Sequence, residues 1–462
     1  MPVNEIVEFV KQKAMEFGAK PPDHSKPSYR FRENLTPPFD ANQAYFGFVQ
    51  PDEEPSGAYR DFSIAIMPSE DESPWFVNLC VGTMGFHNDY ELASRPGLRR
   101  VFQRLVNDDG FCKSDFSDIE TPLPDSFRDR EDIAHLAGAL DKYSKVFCAG
   151  QIVKEPFQES GKKIIAAFLA GYARMRKWPT NQTHRSAVDR ALSEFVGKPV
   201  DVQSEVKRLL EARRFVILEG APGTGKTRLA KLIAADLKAK VFFTQFHAET
   251  SYSDFISGIL PSLHGDKVGY EATVGVLANS ISHALANPDD TVLLIIDEIN
   301  RANLSNVLGP VFYLFEPQMD LVEGVKISVT PDLKLDSLPP NLYVIGTMNS
   351  ADRSLAVVDF ALRRRFAWYR MEAVPIEDNE RFHRDEFDSM SRIFSWHATY
   401  EELSLQPGQA YFLANGREEM KQRIRYELLP LIREYLQEGR LRSAKEDFNK
   451  FFLDSIKQPL YD

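Results

Sequence analysis

Gly220-Ala-Pro-Gly-Thr-Gly-Lys-Thr227 satisfies the spacing Gly-x4-Gly-Lys-Thr once in the 462-residue chain. The short apolar run Phe215–Leu218 precedes it, and a helix-type pattern over Arg228–Leu237 follows it. Strand, glycine-rich loop and helix form the context in which this spacing holds phosphate. Glycines let backbone N–H groups close around phosphate oxygens. The helix start adds partial positive charge. Gly220, Ala221, Pro222, Gly223, Thr224, Gly225, Lys226, Thr227 and Arg228 are therefore the expected nucleotide-binding residues. Lys226 is expected to reach the β- and γ-phosphates, and the Thr227 hydroxyl to face Mg2+. A glycine-rich turn that binds nothing is the alternative, and the flanking strand and helix together speak against it.

A second buried-strand run, Val292-Leu-Leu-Ile-Ile-Asp297-Glu298, ends in an acidic pair. An Asp-Glu pair after an apolar run is by itself more often a solvated turn. Beside a phosphate loop it has a use: Asp297 holds Mg2+, and Glu298 orients and deprotonates the attacking water.

The rest of the chain frames these motifs. Apolar residues make up 43% and charged residues 27%, an ordinary globular composition, and the length suits two or three domains. The net charge of −11 excludes a bulk basic field, so nucleic-acid contact would need a local patch. Cys80, Cys112 and Cys148 are too few and too scattered for a metal motif and read as free thiols of a reducing compartment. Met1–Lys20 lacks a signal-peptide pattern, and no apolar run reaches the ~20 residues of a membrane span. A cytoplasmic protein without membrane contact is the expectation.

Residues 1–180 read as an α+β domain: a helix Val3–Phe17, a polar Pro-rich stretch Lys20–Asp40, and strands Ala44–Val49, Asp61–Met67 and Trp75–Gly82. Helices are expected at Gly97–Val106, Asp132–Asp141 and Lys162–Lys177, and a linker at Trp178–His184. Residues 186–375 alternate helix and strand, with buried strands expected at Phe215–Leu218, Val241–Thr244, Val292–Ile296 and Leu342–Gly346. That implies an α/β core with a parallel sheet. Residues 376–462 read as a helical subdomain, with Ile424, Leu428, Leu431 and Tyr435 forming one apolar stripe.

The loop and acidic pair in this order resemble AAA+ enzymes, which implies an AAA+ P-loop core with a C-terminal helical lid. In such enzymes a polar residue at the end of a further strand lies between the acidic pair and the γ-phosphate. Asn349, after Leu342–Gly346, fits it, although it also suits a helix cap. Arg363, Arg364 and Arg365 follow at a helix end. They either complement the helix dipole or are lent to a neighbour's nucleotide in a ring. The second use is favoured, with Arg364 and Arg365 as candidates in either order.

A narrower resemblance, over roughly residues 200–440, is to the McrB family, the motor subunits of modification-dependent restriction systems. It is carried by Asp297-Glu-Ile-Asn-Arg-Ala-Asn303 with Leu304-Ser305, and by Met348-Asn-Ser-Ala-Asp-Arg-Ser354. Gln245-Phe-His247 with Tyr252-Ser-Asp-Phe255 and Gly258 adds to it, as do Gly408-Gln-Ala-Tyr-Phe412 and Arg425–Leu431. Ser350 stands where that family usually has Thr, and Glu249–Thr250 carries an extra residue. The resemblance implies a homo-oligomeric, hexameric ring, GTP rather than ATP as usual substrate, and a separate McrC-like nuclease subunit. It also implies that Asn349, Asp352 and Arg353 support hydrolysis. A MoxR-like chaperone acting on a protein client shares the core motifs and is the alternative. A binding module with a dead ATPase ranks lower.

In McrB-like proteins the N-terminal domain selects the target, often modified DNA. Arg95, Arg99, Arg100 and Arg104 fall at helical spacing and either contact DNA phosphates or form a solvated face. Tyr45, Phe46, Phe48, Tyr59, Phe62, Trp75 and Phe76 are more simply core than base-stacking residues. Asp61, Asp115, Asp118 and Glu120 lack the lysine spacing of a PD-(D/E)xK nuclease.

Overall fold

The computed structural model describes residues 2–70, 74–196, 201–264, 267–316, 326–350 and 360–461. The chain divides into two compact units, Met1–Pro199 and Val200–Asp462.

The first unit is built on a six-stranded antiparallel sheet. Its strands are β1 (Arg30–Asn34), β2 (Tyr45–Val49), β3 (Phe62–Met67), β4 (Trp75–Val81), β5 (Gly110–Cys112) and β6 (Phe147–Val153). Their spatial order is β1-β2-β3-β4-β6-β5. β2, β3 and β4 lie where aromatic and β-branched residues place them. β1 lies inside the stretch read as polar loop: its residues are mostly charged, and it pairs along one edge. Arg32 on β1 is nonetheless buried, donating to the Gly57 carbonyl at 2.9 Å and to the Glu54 carbonyl. β6 is buried along its whole length, so it has no alternating pattern to betray it.

Helix Glu159–Met175 packs on β3, β4 and β6, and helix Pro2–Glu16 packs on it. The stretch expected to be a linker is not one. Trp178 is buried between Phe48, Tyr29 and Tyr172. The Asn181 side chain accepts from His184 N at 2.9 Å, starting helix Gln182–Val196, which packs on Glu159–Met175. Pro-Thr-Asn composition marks a helix start as readily as a linker. The expected boundary between 180 and 186 therefore falls inside the first compact unit, and the division comes at Pro199–Val200.

The second unit holds β7 (Phe215–Gly220), β8 (Lys240–Gln245), β9 (Ser257–His264), β10 (Lys267–Val274), β11 (Val292–Asp297), β12 (Ile327–Thr330), β13 (Leu333–Leu335), β14 (Leu342–Asn349) and β15 (Ala367–Met371). The order β15-β7-β14-β11-β8 is parallel throughout, while β9–β10 and β12–β13 are separate hairpins. β11 shows why its run is continuously apolar. Val292, Leu294 and Ile296 enter the core under helix Val276–Ala286, and Leu293 and Ile295 enter that under helices Val202–Arg213 and Lys226–Asp236. β8 differs from expectation. It is the sheet edge, and Val241 and Phe243 are 42% and 45% exposed. An apolar run reads alike at an edge and at a centre.

The lid has its own core around Phe394, Phe412, Phe448 and Phe452. Its main helical run, Arg417–Arg423 and Leu429–Gln437, passes through a π turn at Ile424–Leu428. Pro430 has no N–H for the carbonyl four residues back, and its ring crowds that carbonyl, so the extra residue is accommodated there. The inserted residue rotates the buried face. Ile424, Leu428 and Tyr435 are buried as expected, but Ile432 replaces Leu431 in the core. Among the described residues no helix is long and apolar enough to cross a membrane.

Candidate nucleotide-binding site

The site lies at the carboxyl ends of β7, β14 and β11, where ligands bind in open parallel sheets. β7 ends at Gly220, and helix Lys226–Asp236 begins six residues later. The loop between them turns through Gly223 at φ +79° and Gly225 at φ +87°, which favour residues without a side chain. Thr224 Oγ1 donates to the Ala221 carbonyl at 2.9 Å and closes the turn.

Lys226 is buried, and its ammonium has three acceptors: the Gly220 and Ala221 carbonyls at 2.9 Å and Asn349 Oδ1 at 2.8 Å. Asn349 also donates from Nδ2 to Glu298 Oε1 at 2.9 Å. One amide thus links the phosphate-loop lysine to the expected catalytic base. Arg301 Nε lies 3.5 Å from Glu298 Oε2. Glu298 adopts φ +53°, in the left-handed region, where a non-glycine residue is held by its surroundings. Its N–H donates to Thr347 Oγ1 at 3.1 Å.

The Thr227 hydroxyl donates to Asp297 Oδ1 at 2.6 Å, and the Thr347 hydroxyl donates to the same oxygen at 2.6 Å. Thr227 and Asp297 present adjacent hard oxygen donors, which fit a Mg2+ ion that keeps several waters and shares phosphate oxygens. Sequence reading missed Thr347. Its signal is position: it lies two residues before Asn349 on β14, on the same strand face.

Burial pushes the Lys226 ammonium down to about 8, and the nearby Glu298 and Asp297 carboxylates offset part of that loss. An anionic triphosphate favours charged Lys226, so its pKa in the complex lies above that of the free protein. Binding then takes up a proton above pH 8 and none well below it. Nucleotide affinity is expected to hold between pH 6 and 7 and to fall about tenfold between pH 7 and 9, measured by titration with a fluorescent nucleotide. A flat profile over that range would remove Lys226 from the binding step.

The expected arginines divide. Helix Phe360–Arg365 carries all three. Arg365 is buried, with Nε 2.7 Å from Glu316 Oε2 and its guanidinium 4.1 Å from the Phe312 ring centre. The Arg364 side chain is 69% exposed and reaches the same carboxylate at 2.6 Å. Arg363 lies over the Trp368 ring at 4.7 Å. Arg228 is exposed on the first turn of its helix. Asp352 and Arg353 lie outside the described residues.

In the first unit, helix Pro96–Gln103 carries Arg99 and Arg100, with Arg95 and Arg104 at its two caps, the four arginines thought able to meet phosphates. Arg95 pairs with Glu91 at 2.7 Å, and Arg99 Nε donates to the Lys113 carbonyl at 2.9 Å. Arg104 is exposed, while burial, then the Arg104 charge, lowers the half-buried Arg100. Phe46, Phe48, Phe62, Trp75 and Phe76 are buried core residues. Asp61 accepts from the N–H groups of His87, Asn88 and Asp89, which is a loop-holding role.

Residues 200–366 match the AAA domain of the dynein-related subfamily. Over 202 residues the chain is 38% identical to the Type IV methyl-directed restriction enzyme EcoKMcrB subunit of Escherichia coli (strain K12), spanning 42% of this chain and 43% of that one. It is 26% identical over 193 residues to the Type II restriction enzyme BsuMI component YdiS of Bacillus subtilis (strain 168), spanning 34% and 56% respectively. The chain thus spans about half the length of these curated relatives. The Thermotoga maritima RuvB Holliday junction branch migration motor superposes with a TM-score of 0.24 at 21% identity, over 44% of this chain and 52% of that one. That match is too loose to carry weight. The loop, the acidic pair, the parallel sheet and the family match give the second unit the α/β fold of an AAA domain with a P-loop. Within that class it is McrB-like.

Proposed function

We propose that this chain is the NTP-hydrolysing ring motor of a McrBC-like DNA restriction and anti-phage system. GTP, with Mg2+, is the proposed substrate in preference to ATP. Residues 1–199 select the DNA target, and a separate McrC-like nuclease subunit cuts. The observation that carries this reading is the Lys226–Asn349–Glu298 hydrogen-bond chain beside Thr227–Asp297, inside a McrB-like domain. Purified protein should hydrolyse GTP, and the cognate nuclease subunit should stimulate it. Hydrolysis of ATP alone would remove the substrate assignment, and a first unit that binds no duplex, modified or unmodified, would redirect the search to protein clients.

A hexameric ring gives Arg364 a role that Arg365 is poorly placed to take. Arg364 reaches Glu316 from an exposed position, whereas Arg365 is buried between Glu316 and the Phe312 ring of its own chain. Arg364→Ala is expected to lower kcat about 10³-fold with little change in Tm, as for an arginine lent across a subunit boundary. Arg365→Ala is expected instead to lower Tm, because its buried guanidinium leaves the Phe312 face and Glu316 is left with the exposed Arg364. Parental turnover in the Arg364 variant would exclude it as the lent residue.

A further inference from the structure

The phosphate loop is held from its outer side by three successive lid residues. Gly408 N–H donates to the Pro222 carbonyl at 3.0 Å, and Ala410 N–H to the Gly223 carbonyl at 3.1 Å. Between them, Gln409 Nε2 donates to the Thr224 carbonyl at 2.8 Å. Three consecutive loop carbonyls therefore have lid donors. In a trans peptide the C=O and N–H point opposite ways. Holding these carbonyls toward the lid turns the N–H groups of Gly223 and Gly225 to the other side, as a phosphate cradle requires.

The approach is close enough to dictate sequence. A Cβ on Gly408 would sit 2.1 Å from the Gly223 carbonyl carbon and 2.3 Å from Thr224 N. A Cβ on Gly223 would sit 3.0 Å from the Tyr411 ring. A second tie joins the lid to the strand ends: Ser350 N donates to the Gly220 carbonyl at 3.1 Å, and its Oγ to the Ser404 carbonyl at 2.8 Å.

We infer that Gln409, with the Gly408 and Ala410 backbone, is a positioning element of the nucleotide site: the lid holds the phosphate loop in its phosphate-accepting shape. This rests on the proposal that nucleotide binds at Gly220–Thr227. Coupling is reciprocal, so a phosphate that favours this loop shape also favours lid attachment. Gln409 touches the loop backbone and acts on nucleotide through it.

The test compares Gln409→Ala and Gln409→Glu in the full chain. The glutamate keeps the shape of the side chain and, as a carboxylate, lacks the donor. Both variants are expected to raise Kd for a fluorescent GTP or ATP analogue with Mg2+, by about five- to tenfold for the alanine and at least as much for the glutamate. KM should rise in step while kcat stays within about twofold, since the hydrogen bond serves binding in ground and transition states alike. Amide exchange across residues 220–227 of the nucleotide-free protein should quicken in both. If Gln409→Glu binds and exchanges like the parent, Gln409 only fills space and the inference falls. If the parent itself binds neither nucleotide, the functional reading falls first.

Discussion

Lys226→Ala is expected to raise the Kd for GTP or ATP with Mg2+ by about 10³-fold, the loss of charge-assisted bonds to two phosphates. In the free protein the ammonium holds the Gly220 and Ala221 carbonyls and Asn349 Oδ1. Alanine removes all three donors at once. It also removes the buried cation facing Asp297 and Glu298, so an incoming triphosphate would meet two carboxylates uncompensated. Arginine should not restore binding, because its planar fork does not fit a point occupied by three acceptors around one nitrogen. Calorimetric or fluorescence titration measures the effect. A variant binding within tenfold of the parent would show that Lys226 is not the phosphate contact.

The sequence made the chemistry legible where each motif is local. The phosphate loop must follow a strand and open a helix within a few residues, and β7 and helix Lys226–Asp236 do so. The acidic pair sits at the end of its own apolar run. The contacts between motifs are long-range, and sequence reading named them only in part. Asn349 was expected near the acidic pair, but its simultaneous bond to Lys226 was not. Thr347 was not singled out, and Gln409 stood only inside the motif Gly408–Phe412 with no role of its own. A threonine inside a strand and a glutamine in a 3-10 turn are common residues until the fold brings Asp297 or the Thr224 carbonyl against them.

The fold failed to show itself where pattern and environment part company. β8 carries the apolar run Val241–Phe243 and lies at an edge. β1 is as charged as a loop and pairs in a sheet. Pro430 follows a π turn within the helical run, and beside it Ile432 rather than Leu431 enters the core, a local change that period counting cannot anticipate. The arginines Arg364 and Arg365 are adjacent and chemically identical. Both reach Glu316, and only the burial of Arg365 against Phe312 tells them apart.

Glu298→Gln is expected to bind nucleotide and not turn it over. The side chain sits on a residue held at φ +53°, its N–H fixed by Thr347 and its Oε1 by Asn349 Nδ2. Glutamine has the same shape, and its oxygen still accepts from Asn349, so the geometry survives while the base is lost. A general base contributes about 10²- to 10⁴-fold, and kcat should fall by that amount. Kd below pH 7 should stay within about threefold of the parent or tighten, since a negative charge facing the triphosphate is gone. A second consequence follows from Lys226. Glu298 is the larger of two charges that help keep that buried ammonium protonated, against the burial that lowers it to about 8. Without it the lysine loses its proton at lower pH, so the fall in affinity on the alkaline side should begin below the parental onset. Single-turnover hydrolysis and binding titrations across pH separate the two effects. Parental turnover would remove Glu298 as the base, and an unshifted binding profile would mean that Glu298 does not act on Lys226.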